Sequence, residues 1–286
     1  EARSAGIPEE KWVYLHGHST LSDCHITERP DYSRSRSLEG TLAQALESSA
    51  LTADDIEYFD IYSCFPCVVL LAAEALGLDW RKRALTQTGG LPFFGGPGNN
   101  YSMHAIATLV EKLRSKRGAF GLVLANGGYL SKHAAGVYST AAPEHWEAVD
   151  CSERQLEIDQ VSVSSLGAID DGVVVDGVVE SFTLVHGREG VQYLTLVVRT
   201  GGSEGREGSE DGVGGRALVK IGDRQNKTLQ AINAGEDPVG RPVLLRNVPA
   251  ADTGGDDFPV FTLSEDIDFD QLFDQSTAML VRVGSA

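Results

Sequence analysis

The sequence predicts an α/β layered domain followed by a small β-rich barrel, on three observations. Residues 1–142 alternate short apolar strand-like runs with segments of helical period. Residues 143–155 carry neither period and read as a linker. Residues 156–286 turn to Val-, Leu- and Ile-rich runs separated by Gly-rich stretches, the pattern of short strands.

In the first domain, Val13–His18 is the opening strand. Ser37–Ser49 follows as a helix with Leu38, Leu42, Ala45 and Leu46 on its apolar stripe and Ser37 as its cap. Ile56–Tyr62 reads as a strand, and Pro66–Leu76 as an apolar helix closed by Gly77. Thr86–Asn100 is a Gly- and Pro-rich loop. Ser102–Ser115 is a helix that buries Ile106, Leu109, Val110 and Leu113 and gathers cations at its C-terminal end. Phe120–Ala125 is continuously apolar, as a central strand requires, and Ala135–Thr140 is its neighbour.

In the second domain, Gly172–Thr183, Gln192–Arg199, Arg216–Ile221 and Pro242–Val248 are the strand candidates, and Thr228–Ile232 suggests a short helix. Gly201–Gly215 is nearly pure Gly, Ser, Glu, Asp and Arg, the composition of a mobile surface loop.

Charge excludes several function classes. The formal net charge is -17, and the acidic excess lies in both halves: 13 basic against 18 acidic residues in 1–150, and 11 against 23 thereafter. Neither half offers a broad basic face for nucleic acid or for an anionic membrane surface. No run of 18 apolar residues is present, and Glu1–Gly6 is polar with no apolar segment after it, so neither a membrane span nor a signal peptide is expected. Four cysteines are too few for a disulfide scaffold, so a reduced, cytoplasmic protein is expected. Cys64 and Cys67 have C-x-x-C spacing without the second pair that a zinc site needs. His16, His18 and His25 near Asp23 and Cys24 lack metal-ligand spacing, so no metal is expected.

The segment Thr88-Gly-Gly-Leu-Pro-Phe-Phe-Gly-Gly-Pro-Gly-Asn-Asn-Tyr101 is the most informative. Its glycines permit close backbone approach, and a helix opens directly after it. Such a loop either presents N–H donors to a phosphate or acyl oxygen or makes a structural turn between layers. Gly89, Gly90, Gly95, Gly96 and Asn99 are its candidate binding positions, joined by Gly127 and Gly128 in the later Gly-Gly turn.

These features together resemble the C-terminal half of the thiolase superfamily, closest in pattern to the sterol-carrier-protein thiolase and thiolase-like branch. The helix–strand–helix run Gly40–Gly77, the Gly-rich loop and the Gly127-Gly128 turn follow the order of that fold over about 140 residues. The resemblance implies a thiolase-type layered αβα domain with an extra OB-like barrel domain, and chemistry on acyl groups carried by coenzyme A. It also implies that the nucleophilic cysteine belongs to an N-terminal half, which this chain is expected to lack.

The motif side chains depart from the family. The His-Asp-Cys-Phe motif is matched by Tyr62-Ser63-Cys64-Phe65, so Tyr62 replaces its histidine. The Gly-His-Pro motif is matched by Gly95-Gly96-Pro97, so its histidine is Gly96. The Cys-x-Gly-Gly motif is matched by Ala125-Asn126-Gly127-Gly128, so its acid-base cysteine is Ala125. Neither glycine nor alanine transfers protons.

Tyr62, Tyr101 and His133 are the remaining proton-transfer candidates. Each has a structural reading beside the catalytic one: a buried phenol satisfied by a single hydrogen bond, or an imidazole that holds its loop. Cys64 and Cys67 read as packed side chains, and Arg81-Lys82-Arg83 as either a phosphate contact or a solvated turn.

Two functions from different classes follow. The first is an acyl-CoA transferase or carbon–carbon lyase of retro-aldol or retro-Claisen type. The second is a non-catalytic acyl-CoA-binding or assembly subunit. The apolar helices lead us to expect a homodimer or a complex with a thiolase N-terminal-like partner.

Overall fold

A computed structural model describes residues 2–25, 28–163, 174–200, 215–221, 227–246 and 278–280. The chain divides into two units, Glu1–Ser162 and Val163–Ala286.

The first unit contains β1 (Tyr14–Ser22), α1 (Arg36–Ser48), β2 (Ile56–Ile61), α2 (Pro66–Ala75), α3 (Leu91–Phe94), α4 (Tyr101–Ser115), β3 (Phe120–Gly127), β4 (Lys132–Ser139) and α5 (Ser152–Asp159). Its sheet has the order β1-β4-β3-β2. β2 and β3 run parallel, while β3–β4 and β4–β1 are antiparallel. Helices cover both faces, giving an αβα sandwich. On one face Leu38, Leu42 and Ala45 of α1 and Val68, Ala72 and Ala73 of α2 close over Ile56, Ile61, Leu122, Leu124 and Val137. On the other, Ala105, Leu109 and Leu113 of α4 pack with Val123. Each fully buried leucine contributes about 1.5–3 kcal/mol.

Local signals explain the element ends. The N-cap of α1 lies two residues before the expected Ser37. Ser35 is the extended N-cap, and its Oγ accepts the Leu38 N–H, while Ser37 lies buried inside the first turn. Pro66 occupies the first turn of α2, where its missing N–H costs nothing. Gly77, at φ 67°, ends that helix. The Gly77 N–H donates to the Glu74 carbonyl and the Leu78 N–H to the Ala73 carbonyl, the double closure that a left-handed residue allows. Two glycines are demanded by contact. A Cβ on Gly17 would stand 2.4 Å from the Ala45 carbonyl oxygen, and one on Gly121 would stand 2.5 Å from Leu109 Cδ1.

The expected linker 143–155 falls within the first unit, which continues to Ser162. Gln155 of α5 accepts the Ser22 N–H at 2.9 Å and donates to the Ser22 carbonyl at 2.8 Å, and Arg154 pairs with Glu47 at 3.0 Å. The stretch from 143 to 151 has no regular element, but the histidines of β1 hold it. His16 bonds the Ala141 carbonyl, and His18 accepts the Val149 N–H.

The second unit holds β5 (Val174–Gly187), β6 (Gly190–Thr200), β7 (Gly215–Ile221), α6 (Lys227–Asn233), β8 (Pro242–Arg246) and β9 (Ala278–Leu280). They form a curled sheet of order β7-β6-β5-β8-β9, antiparallel apart from the β8–β9 pair. This is the OB-like extra domain expected from the sequence. Its core joins Leu194, Leu196 and Val198 to Leu229 and Ile232 of α6. The expected mobile loop Gly201–Gly215 lies, except for Gly215, outside the described residues.

Candidate functional site

The candidate site lies where parallel strands β2 and β3 end. Strand alternation puts Tyr58 and Asp60 on the α4 side of the sheet and Phe59 and Ile61 on the α2 side. Tyr62 continues the first set. Its N–H bonds the Leu124 carbonyl at 3.1 Å, and its ring stands edge-on to Tyr101 with 5.1 Å between centroids.

Asp60 is fully buried and organises the start of the Gly-rich loop. Its Oδ2 accepts from the Gln87 N–H at 2.7 Å, the Thr88 N–H at 3.1 Å, Thr86 Oγ1 at 3.1 Å and Thr88 Oγ1 at 3.2 Å. Tyr101, at 1% exposure, turns its hydroxyl inward, 2.6 Å from Thr88 Oγ1 and 3.5 Å from Asp60 Oδ1. Burial first, then the Asp60 charge, pushes the Tyr101 phenol up, while the Thr88 hydrogen bond opposes the shift. Burial likewise raises the phenol of half-buried Tyr62. The Tyr62 hydroxyl makes no hydrogen bond to the described residues. Of the two phenols, Tyr62 therefore has the available proton.

Most of the loop's N–H groups are used internally. Gly89 donates to Thr86 Oγ1, Gly90 to Thr88 Oγ1, Leu91 to Ser63 Oγ, and Phe93 and Phe94 to the Gly90 carbonyl. Gly95 donates to the Leu91 carbonyl. Gly89, Gly90 and Gly95 have φ values of 92°, 79° and 94°, so this winding requires glycine. The N–H groups of Gly96, Gly98 and Asn99 carry no backbone hydrogen bond to the described residues and are open donors. Gly96 has ordinary backbone geometry, and a Cβ there would meet nothing within 4 Å. Asn99 is exposed. Gly128, at φ 62°, makes the turn after β3, and the Gly127 carbonyl accepts the Ser131 N–H at 3.3 Å.

His133 is not brought to the tyrosines. It lies on the opposite face of the sheet at 2% exposure, with Nε2 3.2 Å from Ser35 Oγ at the start of α1. Ser35 Oγ also donates to Asp23 Oδ2 at 2.6 Å. Burial lowers the imidazole pKa from 6.5 to about 4, outweighing the Asp23 charge and the nearby Leu130 carbonyl, so the ring is neutral. On that same face Asn126 Nδ2 contacts Cys64 Sγ at 2.9 Å. A cavity of about 260 Å³ opens near α1, lined by Asp23, Cys24, Arg29, Arg34 and Arg36 among others. The Arg81–Arg83 run is partly committed to the fold: Arg83 bonds the Ile56 carbonyl, and Lys82 pairs with Asp79 at 3.2 Å. Among the described residues no group of three or more His, Cys, Asp or Glu could hold a metal ion. No helix among them is long and apolar enough to cross a membrane.

Sequence reasoning passed over Asp60, Thr86 and Thr88. The available signal was Asp60 itself, a charge inside the otherwise strand-like run Ile56–Ile61, two residues before Tyr62 and therefore on its face.

Around the site, Phe65, Phe93, Phe94 and Met103 are exposed, Phe93 at 88%. Phe94 packs edge-on to Tyr101 at 5.8 Å and near His104 at 5.1 Å.

Comparison with known proteins agrees with this architecture. The chain is similar to the crystal structure of a monomeric SCP2-thiolase-like protein type 1 from Mycobacterium smegmatis, with 37% identity and a TM-score of 0.69. The match covers 85% of this chain and 50% of that one. Acetyl-CoA acetyltransferase 1 of Arabidopsis thaliana is 31% identical over 88 residues, 30% of this chain and 21% of that protein. The chain thus spans half the length of the solved structure and a smaller part of the curated relative. No family model matches the chain.

Proposed function

Since the chain belongs to the thiolase superfamily as an SCP2-thiolase-like protein, we propose that its first unit handles an acyl-CoA or related thioester at the ends of β2 and β3. The carrying observation is the Tyr62 phenol, half-buried, without a partner among the described residues, and standing where the family bears a histidine. A phenol pushed up by burial stays protonated near neutral pH and donates a hydrogen bond to a thioester carbonyl or the oxyanion formed from it. The open Gly96 and Gly98 N–H groups supply further donors. Asp60, Thr88 and Tyr101 hold the loop rather than exchange protons with substrate. His133, buried and neutral on the other face, serves as a structural partner of Ser35.

In this reading carbon–carbon bond cleavage or formation needs a nucleophile or base from outside these residues. The exposed Phe65, Phe93, Phe94 and Met103 support cover by a second polypeptide, either another copy or a thiolase N-terminal-like partner. Four free thiols support a reducing, cytoplasmic setting.

The test is calorimetric titration of acetyl-CoA into the chain and into its Tyr62→Phe variant. Saturable binding weakened about tenfold in the variant is expected for one lost hydrogen bond to the carbonyl. Equal binding by both removes Tyr62 from the site, and no binding by either removes the thioester reading.

A second reading, a non-catalytic acyl-CoA-binding or assembly subunit, is favoured by Gly96 and Ala125 at the family's proton-transfer positions. Binding without turnover, alone or with an N-terminal-like partner, distinguishes it.

A further inference from the structure

We propose that Asp60 determines which acyl groups the site accepts, selecting uncharged acyl chains over those that end in a carboxylate. This inference rests on the thioester reading of the Tyr62 site. Three observations carry it. First, Asp60 is completely buried, and no cation among the described residues pairs with it. Its carboxylate is held by hydroxyls and backbone N–H groups alone. Such donors fix the position of the charge without cancelling it. Second, Tyr62 directly follows β2, two residues after Asp60 and on the same face, about 7 Å further along the chain. The Thr86, Thr88 and Tyr101 side chains that bond it are neutral hydroxyls, already used in the network. Third, the ring packed on the outer side of Tyr101 is apolar: Phe94, 41% exposed, stands edge-on to it at 5.8 Å. Water there screens a charge less than bulk solvent does.

A like charge brought within about 8 Å of such a carboxylate is repelled enough to weaken binding by about tenfold or more at an effective dielectric near 20. A methyl-ended acyl chain carries no charge to repel and gains contact with the apolar rim. The Asp60 carboxylate thus has two roles. Its Oδ2 holds Thr86, Gln87 and Thr88 at the start of the loop, and its charge filters the acyl group that approaches Tyr62.

The pair pentanoyl-CoA and glutaryl-CoA tests this, since the two acyl chains have the same number of carbons and differ by a terminal methyl against a terminal carboxylate. Calorimetric affinities are compared in the full chain, in Asp60→Asn and in Thr88→Val. Asparagine can keep an acceptor for the loop donors while removing the charge. Valine cuts the hydroxyl links to Asp60 and Tyr101 while keeping the charge, so it controls for general loosening of the loop. Thermal melts establish that each variant is folded.

The expected result is a preference for pentanoyl-CoA of about tenfold or more in the unmodified chain. That ratio falls towards one in Asp60→Asn and persists in Thr88→Val. An unchanged ratio in Asp60→Asn, or its loss in Thr88→Val as well, overturns the charge filter while leaving the thioester site in place. Equal affinity for both esters in the unmodified chain overturns it too. If the unmodified chain binds neither ester, the thioester reading itself fails and the filter falls with it.

Discussion

The ring of Tyr62 meets that of Tyr101 edge-on, with 5.1 Å between centroids and 86° between planes, yet the two hydroxyls have different surroundings. Tyr101 donates into the Thr88–Asp60 network, whereas Tyr62 keeps its hydroxyl free of the described residues. Tyr101→Phe is therefore expected to cost about 1–2 kcal/mol of stability, because a buried hydrogen bond is lost. Tyr62→Phe is expected to stay within about 0.5 kcal/mol, as for a half-exposed group with no partner. Urea unfolding of both variants checks the contrast, and a larger loss in Tyr62→Phe would reverse the assignment of the two phenols.

His133 makes stability depend on pH in a defined window. In the unfolded chain its imidazole takes up a proton near pH 6.5, but in the folded chain only near about 4. Between these values the unfolded state binds more protons, so stability falls as pH falls. The contribution is intact above about pH 6.5 and lost below about 4, a drop on the order of 3 kcal/mol. Chemical unfolding followed from neutral pH to about 4.5 should show this slope, and His133→Asn should flatten it. An equally steep slope in the variant would assign the effect to other groups.

Two glycines of the same unit should respond oppositely to a methyl group. Gly17→Ala would push a Cβ to 2.4 Å from the Ala45 carbonyl oxygen, against backbone that cannot swing aside. A loss of about 2 kcal/mol or more is expected, with the melting midpoint as readout. Gly96→Ala meets open space and should change stability by less than about 0.5 kcal/mol. For the same reason Gly96→His should fold. Failure of Gly96→Ala to fold would mean that the loop is tighter than its geometry indicates.

α5 behaves as part of the first unit because Gln155 bonds both backbone groups of Ser22 at the end of β1. Gln155→Ala leaves both groups without that partner and should cost about 1–2 kcal/mol. Faster amide hydrogen exchange at Ser22 in the variant is the specific readout, and protection equal to the parent would show that α5 adds nothing to that strand end.

The elements of the first unit were legible because their signals are local. Leu38, Leu42 and Ala45 recur at helical spacing, Pro66 and Gly77 punctuate α2, and Phe120–Ala125 is apolar enough to be an interior strand. The start of α1 was misjudged because several serines precede it, and only the three-dimensional position of Asp23 selects among them. Asp23 accepts the Ser37 N–H at 3.0 Å and the Ser35 hydroxyl at 2.6 Å. The linker reading of 143–155 missed α5, a helix of only eight residues whose partners lie in α1 and β1.

By itself the sequence determined the layered α/β domain, the β-rich domain after it and the Gly-rich loop between two helices, since strand period, helix period and left-handed turns are properties of neighbouring residues. It also determined that Gly96 and Ala125 have no side-chain proton to transfer in any fold. Only the tertiary structure decided which candidates lie together. Tyr62 and Tyr101 are 39 positions apart and touch, whereas His133 lies across the sheet from them. The reason is that a strand sends alternate side chains to opposite faces, so a site is assembled by register and by the helix covering each face. It was that assembly that buried Asp60 among hydroxyls and N–H groups, with no cation paired to it among the described residues, and left the Tyr62 hydroxyl without a hydrogen bond to them.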